Sequence, residues 1–213
     1  LKNYDFEECG IHTEWEANLI LNILPNDFNS VLDIGCGLGY WGFMLRTRID
    51  RDFNLIGLDC YEPYIKTLKK MNIYDDLILL DLEEISELPF CDNCFDVSMS
   101  FHVIEHLKKN TGYMLINEIK RISKRKAIIS CPSGDRLTVG KRLNDMIKEK
   151  KKPHVSCWDK KDFTENNFNV KVFDTKKTRK AIWLSWYLFY LFRLIKFRRK
   201  PKEMLKIMVA DYP

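Results

Sequence analysis

A chain of 213 residues, 46% hydrophobic and 31% charged, can form one domain with a sizeable core and no covalent staples. Its seven cysteines, at 9, 36, 60, 91, 94, 131 and 157, are odd in number and scattered, which excludes a disulfide scaffold and suits a reducing, cytoplasmic setting. The net charge of +5 hides a division: residues 176–202 carry ten Lys or Arg and no acid, leaving −5 for the rest. An acidic main body argues against a nucleic-acid partner.

No basic stretch followed by an apolar core opens the sequence, so no secretory signal is expected in it. The first predicted element is a helix over 14–24, where Trp15, Leu19, Ile20, Ile23 and Leu24 recur at helical spacing before Pro25. "SVLDI" then reads as a short apolar strand, and "GYWGFMLRTRI" as a helix beyond a glycine-rich turn. "FNLIGLD" is a second strand. "EPYIKTLKKMN" is a helix with Pro63 near its start, "DLILLD" a third strand, and "LEEISELP" a short helix. "FDVSMS", the helix "GYMLINEIKRIS" and "KAIISCP" follow. Strands alternating with helices predict a parallel sheet covered on both faces. Beyond Ser133 come an irregular stretch, a helix in "DKKDFTENNF", a strand in "NVKVFD", the basic apolar segment, and a closing strand in "EMLKIMVADY". The whole chain reads as one domain, 1–213, with a helical insertion at about 176–202. Cys91 and Cys94 form an isolated C-x-x-C, read as plain thiols, and no metal-ligand set is assigned.

The turn "GCGLGYWG" holds Gly35, Gly37, Gly39 and Gly42. Read from Gly37 it matches the G-x-G-x-x-G pattern of dinucleotide sites; read from Gly35 it gives "DIGCGLG", a different fingerprint. Asp59, 20 residues after Gly39, can accept hydrogen bonds from ribose hydroxyls in either case. Asp33 separates the two. A carboxylate beside this turn repels a pyrophosphate and suits a cationic ligand. Asp81, at the tip of the third strand, is placed to receive an adenine amino group. Little chain remains for the second half that a dinucleotide enzyme needs.

"VLDIGCGLG", "LIGLD", "LLDLEEISELPF", "FDVSMSFHVIEHL" and "EIKRISKRKAIISCPSG" occur in the order of the motifs of class I S-adenosylmethionine-dependent methyltransferases. Over about residues 14–175 the chain resembles that family, most nearly the branch that methylates small molecules and lipids. The resemblance implies a Rossmann-like, doubly wound α/β fold: a mostly parallel seven-stranded sheet with an antiparallel last strand and helices on both faces. It implies S-adenosylmethionine as cofactor. Asp33, Gly35, Cys36 and Gly37 would surround the methionine moiety, with Gly39 supporting the turn. Asp59 would hold the ribose with Cys60 beside the adenine; Asp81 and Leu82 would frame the adenine from the other side. Ser100 and Phe101 would face the methionine end. The chain departs from the family at "SKRKAIIS", where many members have a Lys-Pro-Gly-Gly turn.

For the acceptor side the resemblance supplies no diagnostic signature. His102 and His106 lie just beyond the fourth strand and have the pKa range for a general base, but both could equally line one helical face. Tyr4 and Trp15 are candidates for a lid, and His154 in "KPHVSCW" for a substrate contact. "SFHV" stands where amino-adenine and amino-cytosine methyltransferases carry an Asn/Asp-Pro-Pro-aromatic motif. The segment 181–195, "AIWLSWYLFYLFRLI", is too short to span a bilayer, which takes about 20 apolar residues. It suits either a membrane surface or packing against the domain or a second copy, and both favour a small-molecule, apolar or lipid-linked acceptor. The expected location is the cytoplasm or the inner face of the membrane. Two alternatives stand beside this reading: a catalytically silent, partner-binding subunit and an NAD(P)-dependent dehydrogenase.

Overall fold

The computed structural model describes residues 14–133, 154–174 and 206–213. The elements in chain order are α1 (Glu14–Ile23), β1 (Ser30–Ile34), α2 (Tyr40–Arg48), β2 (Asn54–Asp59), α3 (Glu62–Leu68) and β3 (Asp76–Leu79). A 3-10 turn (Leu82–Glu84), β4 (Phe95–Phe101) and a second 3-10 turn (Ile104–His106) follow. Then come α4 (Lys109–Ile122), β5 (Ser123–Ser133), α5 (Lys160–Thr164), β6 (Asn169–Asp174) and β7 (Lys206–Tyr212).

The seven strands form one sheet in the order β3-β2-β1-β4-β5-β7-β6. Pairings from β3 through β5 are parallel, and β7 runs antiparallel to both β5 and β6. This is the α/β fold expected from the sequence. The chain reverses its winding between β1 and β4, so a crevice opens at their carboxyl ends, where open α/β sheets bind ligands.

Strand periodicity sorts side chains onto two faces. On β1, Leu32 and Ile34 join the core under α4, with Ile116, Ile119, Trp158 and Phe163. Val31 joins the opposite core with Ile20 of α1, Leu45 of α2 and Leu68 of α3. Asp33 falls on the Val31 face, so a carboxylate is sent into an apolar layer. Glycines make close approach possible there: a Cβ on Gly42 would lie 2.4 Å from the Tyr74 ring.

Three segments differ from their sequence-based expectation. "LEEISELP" is helical only over Leu82–Glu84. Beyond that its backbone is satisfied by side chains of α4: Glu118 accepts from Leu88 N at 2.7 Å, and Arg121 donates to the carbonyls of Leu88 and Phe90. The helix in "DKKDFTENNF" is confined to Lys160–Thr164, opened by a capping box between Asp159 and Asp162. At "SKRKAIIS" there is no loop at all, because α4 ends at Ile122 and β5 begins at Ser123. A bulge between the Phe95 and Val97 pairings takes up the offset.

Tyr4 and the segment 181–195 lie outside the described residues, as does the side chain of Trp15. Among the described residues no helix is long and apolar enough to cross a membrane.

Candidate cofactor crevice and its rim

The glycine turn is folded down onto the end of β2. Gly35 N and Cys36 N both donate to the Leu58 carbonyl, at 2.6 and 3.0 Å, and Gly37 N donates to Asp59 Oδ2 at 2.9 Å. Gly35 and Gly37 have φ of +76° and +54°, a left-handed backbone that favours glycine. The two differ in surroundings. A Cβ on Gly35 would strike Val103 at 2.2 Å, whereas one on Gly37 would meet nothing within 4 Å. The turn is therefore packed on the Val103 side and open at Gly37.

Asp59 is nearly buried, and its second oxygen accepts from Tyr61 N at 2.8 Å. Two backbone donors thus hold a carboxylate at the tip of β2, and further acceptor capacity on its oxygens suits hydroxyl donors. Asp33 lies beneath the turn, 1% exposed, and Tyr74 Oη donates to its Oδ2 at 2.7 Å. Burial pushes the Asp33 carboxyl up to about 7, opposed by the Tyr74 hydrogen bond and aided by nearby Asp59. Tyr74 itself is driven well up, by burial first and then by Asp33. Cys36 is buried, and burial drives its thiol up further than Asp33 and Asp59 do.

The remaining expected residues are less alike. Cys60 is exposed. Asp81 Oδ1 accepts from Glu83 N at 2.9 Å, so this carboxylate caps the 3-10 turn, and Leu82 beside it is buried. Ser100 is fully buried, and its hydroxyl has no hydrogen-bond partner among the described residues. The Phe101 ring is committed to the core against Trp41, centroids 4.4 Å apart, which leaves its backbone rather than its ring for a ligand.

His102 sits at φ +57°, and both its ring nitrogens face carboxylates: Nε2 to Glu16 Oε1 and Nδ1 to Glu105 Oε1, each at 3.3 Å. Ser130 Oγ donates to the same Glu16 oxygen at 2.9 Å. Burial alone would lower the imidazole, but the hydrogen bonds to Glu105 and Glu16 outweigh it and push it up to about 10. Burial raises the Glu105 carboxyl, and the His102 hydrogen bond and charge then carry it below its usual range. Both ring nitrogens of His102 are thus occupied by the carboxylates of Glu16 and Glu105, which weighs against its use as a general base. Its contacts tie together α1, β4 and the following turn.

His106 lies elsewhere. Its ring meets that of His154 edge to face, centroids 4.9 Å apart. The segment bearing His154 is stitched to the turn, because Val155 N and Ser156 N both donate to the Glu105 carbonyl, and Ser156 Oγ and Trp158 Nε1 to that of Ile104. The crevice thus gathers Asp33, Gly35, Cys36, Gly37 and Asp59, while His106 and His154 form a second group at the end of β4. Sequence reasoning missed Tyr74, Glu16 and Glu105. Glu105 is conspicuous only as the acid of "IEH", and Glu16 reads as the polar side of an amphipathic helix.

Residues 32–131 match the methyltransferase domain family. Among curated proteins the chain is 34% identical over 135 residues to an uncharacterised protein of Methanocaldococcus jannaschii, covering 61% of this chain and 53% of that one. It is 32% identical over 123 residues to a malonyl-[acyl-carrier protein] O-methyltransferase of Buchnera aphidicola, covering 57% and 46%. The chain spans about half the length of these two relatives. Other matched relatives are named for demethylmenaquinone, ajmaline and tRNA U34. In fold it is similar to a SAM-dependent methyltransferase from Archaeoglobus fulgidus, with a TM-score of 0.61, 18% identity, and 97% and 98% of the two chains covered. The architecture is a Rossmann-like α/β fold with a mostly parallel sheet and antiparallel last strands. The match and the fold together are class I S-adenosylmethionine-dependent methyltransferase-like, a family of enzymes whose cofactor is S-adenosylmethionine.

Proposed function

We propose that this chain binds S-adenosylmethionine in the crevice above β1, β2 and β4 and methylates a small-molecule, apolar or lipid-linked acceptor. The observation that carries the cofactor part is the glycine turn closed onto Leu58 and Asp59, with its open side at Gly37. The residues fit the group: a carboxylate for hydroxyls at the tip of β2, close-approach backbone at the turn, and a buried acid for a cation. When bound, the sulfonium of the cofactor supplies an already activated methyl group, so the protein's tasks are alignment and exclusion of water. The insertion of antiparallel β7 between β5 and β6 also departs from the 3-2-1-4-5-6 strand order of dinucleotide-binding folds.

Two features support the acceptor class. Residues 175–205, with their run of apolar and basic side chains, connect Asp174 of β6 to Lys206 of β7. These two residues pair with each other, and Lys206 pairs with Ser133 at the carboxyl end of β5, the rim that carries the crevice. The connection to the basic apolar segment therefore leaves and rejoins the sheet on the crevice side. This supports a hydrophobic acceptor presented at a cytoplasmic membrane face. The test is incubation with S-adenosylmethionine labelled in its methyl group together with cell lipids, a polar small-molecule fraction and bulk tRNA. Label in the solvent-extractable lipid fraction is expected. Label in tRNA, or no transfer at all by a protein that binds the cofactor, would overturn the reading.

Asp33 makes cofactor binding depend on pH. A cation in the crevice favours the carboxylate, so a protein whose Asp33 holds a proton below about pH 7 must release it on binding. Affinity for S-adenosylmethionine should accordingly fall as the solution is acidified from pH 8, approaching about tenfold per pH unit well below 7. Calorimetry at pH 6 in two buffers of different ionisation enthalpy reads the released proton directly. Identical heats in both buffers would sink this role for Asp33.

A further inference from the structure

At the end of β4 three side chains of metal-binding type converge: one donor atom each from Glu105, His106 and His154, all within 4.8 Å of one another. We propose that these three residues form a binding site for a borderline divalent cation of the Zn²⁺ type on the rim of the cofactor crevice.

The donor set carries the choice of ion. Two imidazoles and one carboxylate suit Zn²⁺ and related first-row ions, whereas Mg²⁺, Ca²⁺ and, to a lesser degree, Mn²⁺ prefer oxygen. The set is also held in place. Glu105 is 3% exposed, and its Oε2 is buried with no hydrogen-bond partner among the described residues. A buried carboxylate oxygen in that state needs a cationic or donor partner. Its other oxygen faces His102 Nδ1, the outer support that metal-bound carboxylates typically have. His154 is brought to the cluster by the backbone bonds from Val155 and Ser156 to the Glu105 carbonyl, so two distant parts of the chain are already aligned. Tetrahedral ligand bonds of about 2.1 Å put donors about 3.4 Å apart. The donors, now within 4.8 Å of one another, would be drawn together to that spacing by the ion.

Three protein ligands leave a coordination position open, the arrangement of reactive rather than structural metal sites. Because His106 and His154 are only half-buried, that position can take water or an oxygen of a small ligand. The site adjoins the cofactor turn through Val103, the residue that packs against Gly35. Its existence does not depend on which acceptor is methylated.

The test uses the full chain stripped with a chelator and titrated with Zn²⁺, Mn²⁺ and Mg²⁺ by calorimetry, in the absence of S-adenosylmethionine. Co²⁺ serves as a spectroscopic stand-in. One equivalent of Zn²⁺ is expected, with weaker Mn²⁺ and no comparable Mg²⁺ binding. The Co²⁺ form should show d–d absorption without the near-ultraviolet band of a thiolate ligand. His154→Gln and His106→Ala should each weaken Zn²⁺ by more than about tenfold, the loss that removing even an outer support can bring. Circular dichroism checks that both variants stay folded. A Cys91→Ser/Cys94→Ser double variant should bind as the parent does. Zn²⁺ binding unchanged in folded His154→Gln, lost in the cysteine variant, or absent from the parent would overturn the proposal.

Discussion

Asp59→Ala should reduce S-adenosylmethionine affinity by about a hundredfold. The Asp59 carboxylate does two jobs: it anchors the glycine turn by accepting from Gly37 N, and it presents acceptor capacity at the tip of β2. Charge-assisted hydrogen bonds are worth about 1.5–3 kcal/mol each, so losing one to the turn and one or more to the ligand reaches that factor. The substitution leaves Gly37 N and Tyr61 N without their acceptor, and the turn should loosen with little effect on the rest of the sheet. Asp59→Asn tests the division of labour. An amide keeps one carbonyl oxygen but must turn an NH₂ toward one of the two backbone donors, so it should lie between the parent and Asp59→Ala. Calorimetric titration gives the affinities, and thermal denaturation shows whether the fold is retained. Parent-like affinity in Asp59→Ala would remove the crevice from consideration as the cofactor site.

The second large effect is on stability. Glu16→Ala should destabilise the protein by about 2–3 kcal/mol, the cost of removing a buried carboxylate and leaving its hydrogen-bond partners unmatched. Glu16 is fully buried, and its Oε1 receives both His102 and the Ser130 hydroxyl. Its removal leaves the half-buried His102 ring with one carboxylate fewer and cuts the polar tie between α1 and the ends of β4 and β5. His102→Ala should be similarly damaging, because it leaves Glu16 and Glu105 facing an empty space with their charges uncompensated. The double variant discriminates this network from ordinary packing. If the three groups act as one unit, Glu16→Ala/His102→Ala should cost clearly less than the sum of the singles in urea denaturation. Strict additivity would mean that the contacts are incidental.

The sheet was legible because its signals are repetitive. Four of the first five strands are short runs of Ile, Leu or Val, β4 being richer in Phe, Met and Ser, and the glycine turn punctuates the first of them. The helix expected at "LEEISELP" failed for a reason that no local pattern contains: Glu118 and Arg121, some thirty residues on, satisfy that backbone from outside. The crevice was legible where backbone conformation dictates residue type, as at Gly35 and Gly37, and where an acid ends a strand, as at Asp59. Tyr74 was not. It reads as one aromatic in the loop after α3, and only the sheet brings its hydroxyl 2.7 Å from Asp33, 41 positions earlier. Glu16 was hidden by the rule that charges mark the wet face of a helix, which fails when the charge has a buried partner. His106 and His154 were each visible as histidines, but bringing His154 to Glu105 closes a 49-residue separation, through backbone bonds from Val155 and Ser156.

The junction between α4 and β5 gives the far side of the sheet a metric role. Ile122 closes the helix and Ser123 opens the strand, so no slack residue separates them, and the bulge opposite Asp96 absorbs a fixed offset. Counting from there places Ser130 beside the end of β4, where its carbonyl accepts from His102 N and its hydroxyl reaches Glu16. A strand alternates its faces with every residue, so one residue more or fewer in that count would present Ile129 or Cys131 where Ser130 now stands. The junction is a ruler: the geometry of the crevice rim is measured out, in whole residues, from the opposite end of β5.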